Sequence, residues 1–180
     1  ALKENIDDSL FLYSSVILAP RFDQTEIDRV RATWIAQINQ EKARPAGIGG
    51  RVLRKEVYGN GHPYAVPASG LGEVTSIDSL SQSEMQAWHK QFIRPDNATI
   101  MVVGDTTLAE LLPKLEKTFG QWQAPTSSKP TAKVPVVALP TKNRVILIDQ
   151  PGAIQANIMI GQLVPSSLSD EATQFEIANS

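Results

Sequence analysis

The sequence contains no cysteine and only two histidines, which restricts the metal and redox chemistry open to it. Without thiols, the chain can form neither a disulfide nor a thiolate zinc site. A zinc peptidase site also needs two histidines one turn apart on a helical face, with a glutamate between them as general base. The two histidines, His62 and His89, stand in different predicted elements. The residues by themselves therefore predict no zinc site.

Charge and hydropathy exclude two classes of partner. The 180 residues carry a formal net charge of −2, with a pI near 5.7, so electrostatics predicts no attraction to nucleic acid or to an anionic membrane. No apolar run approaches the roughly 18 residues that a membrane-spanning helix needs. The chain also lacks a Gly-x-Ser-x-Gly nucleophile elbow and a phosphate-binding glycine loop.

Apolar residues spaced at helical intervals predict a series of helices. The first covers residues 5–18 and ends before Pro20, because proline disfavours helical geometry at the residue that precedes it. Further helices are predicted from Asp23 or Thr25 to about 43, over about 48–57, over 81–92 and over 107–119. The residues predicted to face inward are Ile27, Val30, Trp34 and Ile38 in the second helix, and Met85, Trp88 and Phe92 after Ser81.

Three apolar segments, 98–104, 144–148 and 155–161, predict strands. The continuous run at 100–103 is typical of a strand buried on both faces. Residues 59–79 form a long loop rich in glycine, proline and serine, a kind of loop that is usually functional or packed on a neighbour.

Composition changes at residues 123–142, where prolines and serines concentrate and a core cannot form. We predict a linker there, between a domain over 1–122 and the opening strands and truncated helix of a second domain over 143–180. The missing initiator methionine and the end inside a predicted helix favour a fragment of a longer protein. Two strands and a partial helix bury little surface, so we expect 143–180 to need a neighbour, for which a homodimer of the chain is one candidate.

Few polar side chains stand out as candidates for chemistry. His89, on an amphipathic helix, is interpreted as a structural residue. Asp105 precedes Thr107 at a helix start, where a turn or capping role is favoured. His62 and Tyr64 lie in the long loop, where His62 either fixes the loop or joins Tyr64 in contacting a substrate or a partner domain.

Seven short motifs occur in order along the first 122 residues. They are Pro20/Phe22, Glu26, Arg29/Arg31, Tyr58/Gly59/His62/Pro63/Tyr64, Pro95/Asn97/Ala98, Val103/Gly104/Asp105 and Phe119/Gly120/Trp122. Each is weak alone, but in this order they resemble the pitrilysin/insulinase-type zinc metallopeptidases, over the back part of one domain. The stretch 151–155, Pro-Gly-Ala-Ile-Gln, is similar to the opening of the next domain in that family.

The resemblance implies an α+β fold, in which an antiparallel-rich sheet packs against helices on one face. Pairs of such domains would form two bowl-like halves that close around a peptide. The catalytic half of the family carries His-x-x-Glu-His, with a third zinc-ligand glutamate on a later helix. That ligand position falls at Gln37 here, and the position of an additional acidic residue falls at Val30. A neutral amide binds zinc far more weakly than a carboxylate does, although a one-turn slip would place Glu41 there instead.

We therefore interpret the chain as a fragment of the non-catalytic, C-terminal half of such an enzyme, with no catalytic residue, metal ligand or cofactor of its own. Zinc would belong to the catalytic half of the parent metallopeptidase. The expected role is to form a wall of the peptide-binding chamber and to support proteolysis by the catalytic half, on the same polypeptide or on a partner subunit. Resemblance to bacterial two-half members suggests the periplasm.

Three alternatives remain open at this point. The parent could be a structural relative without proteolysis, like the core subunits of respiratory complexes. It could be a partner subunit, as in heterodimeric processing peptidases, where the zinc motif lies on another polypeptide. It could also be an unrelated α+β module that binds peptides through the 59–79 loop.

Overall fold

The computed structural model describes residues 1–178 as helices joined by irregular segments. The α-helices are α1 (Ile6–Leu18), α2 (Gln24–Lys42), α3 (Pro45–Tyr58), α4 (Val74–Ser79), α5 (Gln82–Phe92), α6 (Leu108–Phe119) and α7 (Ala172–Ala178). Short 3-10 turns cover Lys3–Asn5, Pro63–Ala65 and Pro95–Asn97. None of the helices within 1–178 is long and apolar enough to cross a membrane.

The predicted α+β fold with an antiparallel-rich sheet is wrong for this structure, because residues 1–178 contain no strand. The segments predicted as strands, 98–104, 144–148 and 155–161, have no regular secondary structure and form no backbone ladder with one another. Residues 100–103, predicted to be buried on both faces, are exposed. Apolar content identifies a segment able to enter a sheet, but a strand exists only where a neighbouring segment completes its hydrogen bonds.

Helix ends largely follow the chemistry that predicted them. Ser81 caps α5 in a reciprocal capping box, with its Oγ 3.2 Å from the backbone nitrogen of Glu84 and its own nitrogen 2.8 Å from the Glu84 carboxylate. Thr107 caps α6 by accepting a hydrogen bond from Glu110 N–H. α3 begins at Pro45 rather than near residue 48, because the missing N–H of proline costs nothing in a first turn.

Backbone contacts divide the chain into two units that interleave along the sequence. The first unit comprises Ala1–Arg31 and Ser79–Ala132. The second comprises Ala32–Asp78 and the chain from Lys133 onward. The domains predicted from composition are consecutive segments, and that assignment stays a prediction.

In the first unit, α1 packs on α6. The ring of Tyr13 meets that of Phe119 edge to face, with 6.3 Å between centroids. Lys114 donates to the carboxylate of Asp7 at 2.6 Å and 2.7 Å, and Leu111 is buried. These contacts join two helices that are far apart in sequence.

Phe22, between α1 and α2, has a φ of +50°, a left-handed conformation that is unusual for a bulky residue. Contacts from α5 hold it there. Gln82 Nε2 donates to the carbonyl of Phe22 at 2.7 Å, and the Phe22 ring packs edge-on against His89 at 5.6 Å. His89 Nε2 lies 2.8 Å from the carbonyl of Ile17, so this half-buried histidine has the structural role predicted for it.

In the second unit, the segment 156–164 lies against α3. A Cβ placed at Gly49 would stand 3.0 Å from the sulfur of Met159, and one placed at Gly161 would stand 3.0 Å from Leu53 Cδ1. Gly49 and Leu53 are one turn apart on α3, so the two glycines allow the segment to approach the helix closely.

The apolar core is small. The buried apolar side chains within residues 1–178 are Ile27, Ile38 and Leu111, of which Ile38 is fully buried. Three residues predicted to face inward, Val30, Trp34 and Trp88, are exposed instead. An apolar helical stripe shows which face could be covered, but the neighbouring elements decide how much of it is.

Candidate functional site

His62 anchors the loop that follows α3. Its ring is buried, and Nδ1 accepts a hydrogen bond from the backbone N–H of Tyr64 at 3.0 Å. Because Nδ1 accepts, Nε2 carries the proton of the neutral ring and donates to the carbonyl of Pro135 at 3.0 Å. The ring also stacks on Tyr58, with 5.2 Å between centroids. Both ring nitrogens therefore have backbone partners, an arrangement that suits a histidine that fixes a loop.

Tyr64 is the exposed member of the same aromatic cluster, with 49% of its surface accessible. Its ring lies edge-on to Tyr58 at 5.6 Å and to His62 at 5.5 Å. Arg54 Nε fixes the backbone here by donating to the carbonyls of Tyr64 and Val66, at 3.1 Å and 2.9 Å. A half-exposed ring on a held backbone offers contact area at low entropic cost. The substrate or domain contact by His62 and Tyr64 stays a prediction, for which Tyr64 is the better placed.

Arg51, a buried residue of α3, ties the far end of the loop to its surroundings. Nη1 donates to the carbonyl of Gly72 at 2.9 Å and to the carboxylate of Glu73 at 3.2 Å. Nε and Nη2 both reach Glu41 Oε2, at 3.1 Å and 2.8 Å. Gly72 has a φ of +74°, which glycine adopts more readily than any other residue. One guanidinium thus joins α2, α3 and the loop.

Glu41 is the acceptor at the centre of this network. Besides the bonds from Arg51, it accepts a hydrogen bond from Ser69 Oγ at 3.0 Å. The hydrogen bond from Arg51 lowers the pKa of Glu41, an effect that partial burial opposes and that Ser69 and the charges of Arg51 and Lys42 reinforce. The carboxylate is therefore ionised at neutral pH and holds the arginine in place.

The predicted third-ligand position, Gln37, is an exposed residue of α2, and Val30 on the same helix is exposed too. The alternative ligand, Glu41, has its carboxylate engaged by Arg51 and Ser69. No group of three or more His, Cys, Asp or Glu side chains in the described part of the chain could hold a metal ion. These residues do not fit a zinc site. That zinc belongs to a catalytic half stays a prediction.

A second buried arginine organises a loop of the first unit. Arg94 is 2% exposed and pairs with Asp96 through Nε at 2.5 Å and Nη2 at 2.8 Å. Its guanidinium also donates to the carbonyls of Pro125, Ser127 and Ser128, at 3.4 Å, 3.0 Å and 3.3 Å. The hydrogen bond between Arg94 and Asp96 raises the pKa of the arginine and lowers that of the carboxyl. Part of the predicted linker is therefore held by a charged clamp.

We expect Arg94→Met to release residues 125–128, because methionine cannot replace the fork of donors that binds three carbonyl groups. Subtilisin should then cut between 123 and 130 several-fold faster than in the wild type, as mapped by mass spectrometry. Lys114→Met, which removes an exposed ion pair of the same unit, is the control and should leave these cuts unchanged. Equal cutting rates in Arg94→Met and the wild type would show that the clamp does not hold the loop.

Sequence reasoning missed both buried arginines and considered Arg29 and Arg31 instead. Those two residues form helical ion pairs with Glu26 and Asp28. For Arg94 a local signal exists, since the Arg-Pro-Asp motif places a carboxylate within reach of the guanidinium. For Arg51 no local signal exists, because its acceptors come from another helix and from a distant turn.

A comparison with family models gives one match that bears on these sites. A model described as the peptidase M16 inactive domain matches residues 79–179, more than half of the chain. The match includes α5, α6, the Arg94 clamp and the 156–164 segment. Curated proteins give no match to the chain.

Proposed function

The chain belongs to the family of the peptidase M16 inactive domain, and from that premise we propose that it is the non-catalytic half of a zinc metalloendopeptidase. In this proposal it forms a wall of the chamber that closes around a peptide, and it supports cleavage by the catalytic half. The match over residues 79–179 is the observation that carries the proposal. Closure of such a chamber would exclude water and would admit only substrates small or unfolded enough to enter.

The side chains that could bind zinc support this division of labour. Gln37 offers an amide where a ligand carboxylate would be needed, and an amide oxygen is a weak ligand for zinc. The rings of His62 and His89 both bond to backbone carbonyls, which leaves neither histidine free in its present geometry. Zinc and the general base therefore belong, in the proposal, to the catalytic half.

Peptide contact in the second unit is assigned to the exposed ring of Tyr64. The loop beneath it is held at one end by His62 and at the other by Arg51, so the ring does not have to be ordered when a peptide binds. Such a surface contributes apolar contact area, and it takes no part in bond cleavage. The partner implied is a catalytic half, on the same polypeptide or on another subunit.

Two measurements on the purified chain test the proposal. We expect no stoichiometric zinc by elemental analysis and no hydrolysis of a quenched fluorogenic peptide by the chain alone. Added to a catalytic half with an intact His-x-x-Glu-His motif, the chain should raise the rate of cleavage. Tyr64→Ala should reduce that gain, whereas Tyr13→Ala, which truncates an exposed tyrosine of the other unit, should not. Stoichiometric zinc that is lost in His62→Ala or His89→Ala would refute the proposal.

Membership of the family sets aside the unrelated peptide-binding module. The structural subunit and the partner subunit differ from the proposed function in where an intact zinc motif lies. Sequencing of the parent gene and of its co-purifying partners separates them. The periplasm is the proposed location, and cell fractionation tests it.

A further inference from the structure

The segment 156–164 presents an open apolar edge. Ile158 and Ile160 are 86% and 93% exposed, whereas Met159 is 41% exposed and contacts α3 beside Gly161. This alternation is that of an extended chain with one side on a helix. The β-branched side chains therefore point to solvent, although such residues usually occupy the covered face of a strand.

The backbone of this segment indicates what kind of element would cover it. Within residues 1–178, no backbone group between 156 and 164 takes part in a backbone hydrogen bond. An extended segment with open N–H and C=O groups is completed by a second extended segment that runs beside it. The complementary element is therefore a strand.

Charge narrows the choice of strand. None of the residues from 156 to 164 is ionisable, so the segment has no charge to pair with a charged peptide. It also has none that would repel an identical segment in any register. Antiparallel self-pairing centred on Met159 sets Ile158 of one copy opposite Ile160 of the other, on the same face. Both isoleucines then gain a β-branched neighbour.

We propose that residues 156–164 form a self-association edge, at which two copies of the chain pair antiparallel about a two-fold axis near Met159. The pairing is isologous, since each copy contributes the same residues, and it forms a closed dimer. This inference does not depend on the proposed function.

Analytical ultracentrifugation of the full chain tests the proposal. We expect a monomer–dimer equilibrium whose dissociation constant rises at least about tenfold in Ile160→Lys, because the variant places two like charges close together across the axis. Ile160→Thr keeps the β-branched shape without charge and should retain the dimer. Met101→Lys is the matched control, since Met101 is 87% exposed in an apolar irregular segment of the other unit. Circular dichroism should show unchanged helix content in all three variants.

Cross-linking gives a second readout, because the chain contains no cysteine. Ile158→Cys should form a covalent dimer with a short bismaleimide reagent, and Met101→Cys should not. A wild type that remains monomeric at every concentration, or equal cross-linking of the two cysteine variants, would overturn the proposal. So would a monomer that binds an uncharged extended peptide along 156–164, since the edge would then serve a different partner.

Discussion

Replacing Arg51 with methionine should lower the free energy of unfolding by about 2–3 kcal/mol. The Arg51 side chain is only 7% exposed, and methionine would leave the carboxylate of Glu41 and the carbonyl of Gly72 without their donor. Loss of one partner of a buried pair is expensive because the charge that remains is no longer compensated. Urea unfolding followed by circular dichroism, at one fixed protein concentration, measures the change.

Arg144→Met is the matched control for that substitution. Arg144 pairs with Glu56 at 2.9 Å in the same unit, but both side chains are well exposed, so its loss should cost about 0.5 kcal/mol. The double variant Arg51→Met/Glu41→Gln should recover part of the stability lost in Arg51→Met, because it removes the unpaired charge. If Arg51→Met costs no more than Arg144→Met, the network does not hold the loop.

Acidification provides an independent readout of the same contact. The folded-state pKa of Glu41 is lowered, chiefly by the hydrogen bond from Arg51, so the ionised carboxylate stabilises the fold above its unfolded pKa of about 4.3. That stabilisation is lost as the pH falls through the lower folded-state pKa. Asp96 behaves in the same way beside Arg94. Arg51→Met should therefore show a smaller loss of stability than the wild type as the pH falls below about 4.3.

Ile38→Ala should destabilise the protein by about 3 kcal/mol. Ile38 is the fully buried side chain among the few buried apolar residues of 1–178, so its truncation leaves a cavity in a small core. Folded proteins are stable by only about 5–15 kcal/mol, and such a loss is a large share of that margin. The midpoint of urea unfolding should shift markedly, with little change in its slope.

Two further substitutions calibrate the effect at Ile38. Ile38→Val removes a single methylene and should cost about 1 kcal/mol. Ile154→Ala truncates the same side chain at a fully exposed position and should change the stability by less than about 0.5 kcal/mol. A cost for Ile38→Ala as small as that for Ile154→Ala would mean that this side chain is not part of a packed core.

Local chemistry made the helices predictable from the sequence. The capping box at Ser81, the cap at Thr107 and the spacing of Ile27 and Ile38 each act within a few turns of chain, so the sequence alone reveals them. His62 was predictable to the same degree, because its role as a cap depends on Tyr64, two residues away.

The sheet and the charged network were not predictable, because both depend on residues that are distant in the chain. Segment 98–104 has the composition of a strand, but a ladder requires a neighbour, and none occurs among the described residues. Arg51 binds through Glu41 and Gly72, which only the folded chain brings together. Burial of Trp34 and Trp88 failed as a prediction for the same reason, since helical spacing does not reveal what lies opposite.

The unusual backbone at Phe22 has a consequence for the order in which the chain acquires structure during synthesis. Its left-handed conformation costs about 1–3 kcal/mol, and the groups that hold it, Gln82 and His89, are made some sixty residues later. On the ribosome, the turn between α1 and α2 should therefore remain unsettled until α5 has emerged. Folding from the amino terminus alone would leave this joint open, and the downstream helix would close it.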